Sequence, residues 1–121
     1  MRLAAAVAAL LAALICDADA ASYRTRQKML TELSGVFGGL HFIRRTCGPG
    51  NETDVWRERM KQLVRLEDPS ATQREAMIEA FNTAYRDARR RFPDCTAEAA
   101  NRAASLAADG ERLTEALRAD L

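Results

Sequence analysis

The chain has 121 residues, 48% of them apolar and 29% charged, with 18 basic against 17 acidic side chains. That length supports one domain with a modest core. A formal charge of +1 excludes bulk electrostatic attraction to nucleic acid, and one histidine with three cysteines leaves few soft metal ligands.

Residues 1–20 read as an export signal. Arg2 gives a positive start, and Leu3 to Ile15 is an apolar run of thirteen residues, suited to a signal-peptide core and short for a bilayer span. Ala18-Asp19-Ala20 has the small-x-small pattern of a cleavage site, so cleavage is expected after Ala20, with a periplasmic or secreted product. Two alternatives stay open. One is an uncleaved anchor. The other is lipidation of Cys16, against which stands the bulk of the preceding Ile15. The expected mature product, residues 21–121, is a single helical domain without a transmembrane span.

Helical periodicity predicts a first helix over Ser22 to Thr46, with Leu30, Leu33, Phe37, Leu40 and Ile43 on one face. Cys47-Gly48-Pro49-Gly50 stops it. A second helix is predicted from Glu52 to Glu67, with Asn51 as N-cap, Glu52 and Asp54 in the first turn, and a stripe of Trp56, Met60, Leu63 and Val64. Asp68-Pro69 reads as the start of a third helix with Asp68 as N-cap; Ser70 with Gln73 offers a competing cap. The third helix runs to about Phe92, carrying Met77, Phe81, Ala84, Tyr85 and Ala88, and Pro93 ends it. The fourth is predicted from a Thr96 N-cap to about Arg118, with Ala99, Ala103, Leu106, Gly110, Leu113 and Leu117 on one face and Asp109-Gly110 as an alternative break or kink.

Short connections favour antiparallel neighbours, so the expected fold is all-α, an up-down-up-down four-helix bundle. Cys47 ends the first helix and Cys95 precedes the fourth, at the same pole of such a bundle. A disulfide between them is expected in an oxidising compartment. Free thiols acting as ligands or nucleophiles are the competing reading.

No catalytic constellation is evident. His41 lacks a nearby nucleophile, since Ser34 lies about two turns away. No catalytic residue, metal site or cofactor is therefore expected. Gly35 and Gly39 form a small-residue spacing that would let the first helix approach a neighbour, with the Ala-rich fourth helix the natural partner. Arg44 and Arg45 end the first helix, and Arg86, Arg89, Arg90 and Arg91 end the third, all at the disulfide pole. They form a candidate surface for an anionic envelope component, although helix dipoles and Glu52, Asp54, Asp94 and Glu98 offer local compensation. Asn82 sits mid-helix beside the apolar stripe, where a hydrogen bond to Tyr85, Trp56 or a neighbouring backbone is expected.

His41-Phe42-Ile43-Arg44-Arg45-x-Cys47, Trp56-Arg57-x-x-Met60, Phe81-Asn82-x-x-Tyr85, Cys95-Thr96 and Gly110 together resemble one family of small alphaproteobacterial proteins with signal peptides, catalogued as a domain of unknown function. The resemblance spans roughly residues 30–117. It implies an envelope location and the paired cysteines, and carries over no catalytic roles. The functional expectation is a non-catalytic interaction module with an unidentified envelope partner. The alternative is a small-ligand binder with a groove near Gly35, Gly39, Phe81 and Tyr85. Candidate binding residues are His41, Arg44, Arg45, Trp56, Asn82, Tyr85, Arg89, Arg90 and Arg91.

Overall fold

The computed structural model describes residues 2–120, with side-chain surroundings described from residue 13 onward. Four helices account for the fold: α1 (Arg2–Cys47), α2 (Val55–Glu67), α3 (Ala71–Arg91) and α4 (Ala97–Ala119). A single 3-10 turn, Gly50–Glu52, separates α1 from α2.

α1 begins well before the predicted Ser22. Its first stretch is rich in Ala and Leu, both strong helix formers, and no Gly or Pro interrupts it before Gly35. At 1.5 Å per residue, residues 2–25 form an arm about 36 Å long. From Ala13 to Thr25 the arm is exposed throughout, Leu14 and Ile15 at 61% and 62%. The first tertiary anchor is Arg26, which reaches Glu67 at the end of α2 (2.6 Å), the Leu117 carbonyl of α4 (3.1 Å) and Asp120 (3.6 Å).

α2 starts three residues later than predicted. Pro49 seeds the 3-10 turn, Glu52 turns its carboxylate to Arg44, and Asp54 occupies the N-cap position without a side-chain hydrogen bond. Asp68 does not cap α3. It ends α2 in the left-handed conformation (φ 42°), its N–H donating to the Val64 carbonyl, while Ser70 caps α3 by accepting from the Gln73 N–H (3.2 Å). Thr96 caps α4 as predicted, accepting from the Ala99 N–H at 3.1 Å. α4 runs unbroken through Gly110, which faces the Val36 side chain.

Helix directions alternate as predicted. Arg26 with Glu67 makes α2 antiparallel to α1. Gln73 bonded to the Gln27 carbonyl and Thr31 near one pole, and Arg45 to the Tyr85 hydroxyl near the other, make α3 parallel. The Cys47–Cys95 disulfide, Cα atoms 5.1 Å apart, returns α4 antiparallel.

The packing is centred on α1. All three other helices lie on it, and no other helix pair among the described residues makes an extended backbone contact. α1 is accordingly buried almost all round from Leu33 to Ile43. The tightest contact is at Gly38, where a Cβ would lie 2.0 Å from the Phe81 carbonyl oxygen. Close approach therefore falls on Gly38 and α3, while Gly39 meets Leu106 of α4 and Gly35 lies near the Ala80 carbonyl of α3. Met77, fully buried, joins Leu30, Leu40 and Ile43 at the centre. Burying side chains of that size contributes roughly 1.5–3 kcal/mol each.

Candidate functional site

The candidate residues separate into three places. His41, Tyr85 and Arg45 lie between α1 and α3, Trp56 lies between α2 and α4, and Arg91 borders a groove between α3 and α4.

His41 is 6% exposed, with Phe81 and Tyr85 rings 5.7 and 5.4 Å away and Phe42 edge-on to Tyr85. Burial first, then Arg45 and Arg57, hold its pKa below the ordinary 6.5, against an opposing pull from Asp54. Its Nδ1 has no hydrogen-bond partner among the described residues, and Ser34 spends its hydroxyl on the Leu30 carbonyl at 2.7 Å. Neutral imidazole thus fills an aromatic cluster without touching a nucleophile. Asn82 lies one position off the inward stripe and is exposed, so the hydrogen bond expected of it to Tyr85 or Trp56 does not form. One residue along a helix is a turn of about 100°, enough to carry an amide into solvent.

At the disulfide pole the arginines are unequally compensated. Arg44 pairs with Glu52, Arg90 with Asp87, and Arg86 with Glu79 at 3.5 Å. Arg45 donates to the Tyr85 hydroxyl at 3.2 Å, Arg91 lies over the Phe92 ring at 5.5 Å, and Arg89 is exposed and forms no ion pair among the described residues. Of the four acids expected to neutralise this pole, only Glu52 forms an ion pair among the described residues.

Two grooves flank α4. The larger, about 730 Å³, runs between α2 and α4. Leu33, Phe37 and Leu40 of α1 form its floor, with Trp56, Leu63 and Leu66 on the α2 side and Ala107 and Gly110 on the α4 side. Phe37 and Trp56 rings are 6.0 Å apart, and the Arg59 guanidinium covers the indole at 4.5 Å. Leu66 is 76% exposed. It lies off the predicted α2 stripe, and a large apolar side chain there is the sequence signal that points to this trough. The smaller groove, about 400 Å³, lies between α3 and α4 over Gly35 and Gly39. The predicted groove at those glycines therefore exists, but Phe81 and Tyr85 do not line it. Arg91, Arg102 and Arg112 do.

Among the described residues no group of three or more His, Cys, Asp or Glu is placed to hold a metal ion, and no helix is long and apolar enough to cross a membrane.

These features define a disulfide-bonded helical bundle organised on one central helix. The chain belongs to the family described as "Protein of unknown function (DUF2385)", whose model matches residues 25–120. No curated protein and no solved structure matches it.

Proposed function

We propose that this chain is an exported helical module of the cell envelope that works by binding, and that its α2–α4 trough receives an amphipathic helix of a partner protein. Export is supported by Arg2, the apolar run and Ala18-Asp19-Ala20, by an arm that stands clear of the bundle, and by a family match that begins at residue 25. A disulfide suits an oxidising compartment.

The trough carries the binding reading. It is open, apolar along its floor, and walled by two helices that run parallel to each other. Ala107 and Gly110 leave room for a guest backbone, while Trp56, Leu63 and Leu66 offer contacts to residues spaced i, i+3, i+4 and i+7. The rim is polarised: Arg59 stands on the α2 side and Glu111 on the α4 side, where Glu115 is paired with Arg118. A guest helix with a basic flank towards α4 and an acidic flank towards α2 complements it.

The test places a photo-crosslinking residue at Leu66 in the exported protein, and a second at Asn82 on the exposed face of α3. The expected result is a discrete protein adduct from Leu66 alone, lost when Ala107→Trp, at an exposed position on the α4 wall, fills the trough. Equal adducts from Asn82, lipid adducts only, or no adduct would overturn the reading. The amino terminus of the envelope form is expected at Ala21.

A further inference from the structure

The α3–α4 groove has a different chemistry from the trough. Its floor is apolar, with Val36 and Ile43 from α1 and Leu106 and Leu113 from α4. Gly35 and Gly39 keep that floor low. Leu106 faces Gly39 and Gly110 faces Val36, a register that brings Arg102 opposite Ile43. α3 runs the other way, with Phe81 opposite Gly38, so Arg91 reaches the same end of the groove. Two guanidiniums from different helices therefore converge beside the disulfide pole.

Neither forms an ion pair among the described residues, and Arg91 lies over the Phe92 ring. Two acids that line the groove are engaged, Asp87 with Arg90 and Asp109 with Arg112 at 3.8 Å, while Asp94 and Glu98, at the same pole, form no ion pair among the described residues. Glu32 lines the opposite end, beside Leu113 in the helix register. One end of the groove thus carries two arginines, and beyond it the apolar floor of Val36, Leu106 and Leu113 is flanked by the Asp109–Arg112 pair and Glu32.

We propose that this groove binds an anionic amphiphile: a carboxylate or phosphate head held by Arg91 and Arg102, with a short apolar chain laid along Val36, Leu106 and Leu113. The planar guanidinium matches the paired oxygens of either head group. A volume of about 400 Å³ lies within the size range of small-ligand sites.

The experiment is calorimetric titration of the full chain, disulfide intact, with octyl phosphate, octanoate and octanol below their aggregation limits. Saturable binding of one or both anions is expected, with octanol at least roughly tenfold weaker. The stronger anion identifies the head group as phosphate or carboxylate. Arg91→Gln and Arg102→Gln are each expected to weaken binding by roughly tenfold, the usual worth of a charge-assisted hydrogen bond. Arg89→Gln, at the same pole but outside the groove, and Arg59→Gln, at the trough, are expected to leave binding unchanged. All four arginines are exposed, so these variants should retain the native helical circular dichroism. Octanol binding as tightly as the anions, equal weakening by Arg89→Gln, or no anion binding at millimolar concentration would overturn the proposal. Any of these results leaves the α2–α4 trough to its own crosslinking test.

Discussion

His41 shows how one residue's surroundings choose between chemistry and structure. The sequence offers a histidine at a helical position whose seventh preceding neighbour is a serine. The structure buries the imidazole among Phe42, Phe81 and Tyr85 and gives the serine hydroxyl to a carbonyl. Because its pKa is lowered in the folded state, the unfolded chain binds the proton more readily. Stability is therefore fully present above about pH 6.5 and falls as pH drops below the unfolded value. Urea midpoints measured at pH 7.5 and 5.5 are expected to show this loss in the native protein. His41→Phe, which keeps an aromatic ring and introduces no unpaired polar atom, is expected to remove most of it. An unchanged pH dependence in that variant would assign the loss to other groups. The aromatic setting was partly legible, since Phe81 and Tyr85 share the α3 stripe. Arg26 was not: its three partners come from α2, α4 and the segment beyond α4, and become neighbours only after folding.

At the level of helices, local chemistry located most ends and left packing partners open. Thr96 and Ser70 act as caps because their hydroxyls meet free N–H groups, a signal contained in a few adjacent residues. Asp68 was misread because the same residue type suits an N-cap and a left-handed helix end, and only the backbone path separates them. The apolar stripes told which face is buried without telling which helix covers it. The run from Leu33 to Ile43 contains no charged residue apart from a titratable histidine, and that was the available sign of a central helix. Gly38 is where this arrangement is most sensitive. Gly38→Ala gains about 1 kcal/mol of helix propensity, but its methyl would press on the Phe81 backbone rather than on a movable side chain. A net loss of about 1–3 kcal/mol is expected, since overpacking at a rigid contact forces the helices apart. Gly39→Ala meets the flexible end of Leu106 and is expected to cost less; Gly50→Ala has nothing within 4 Å and serves as the control. Chemical denaturation of the three variants checks the order, and a Gly38→Ala protein as stable as the control would contradict the close α1–α3 approach.

In the whole molecule, alternating helix directions followed from short connections and from two cysteines at one pole. The grooves did not, because they exist only where α2, α3 and α4 rest on α1 without closing on one another. That arrangement makes the disulfide more consequential for α4 than in a bundle whose neighbours all touch. α4 is held by its apolar face on α1, by Arg26 at the arm pole and by Cys47–Cys95 at the other. The cysteines are 48 positions apart, and restricting a loop of that size in the unfolded chain is worth about 4 kcal/mol. A domain of this length has about 5–15 kcal/mol in all. Replacing both cysteines with serine is expected to lower the melting temperature by roughly 15–30 °C. The loss should not be uniform. Amide exchange is expected to quicken first along α4 from Ala97 to Leu106, nearest the broken tether, while the α1–α3 contact around Gly38 stays protected. The same variant should weaken octyl phosphate binding, because Arg102 rides on the released end of α4 while Arg91 remains with α3. A double variant that melts within a few degrees of the native protein would leave α4 held by its apolar face and Arg26 alone.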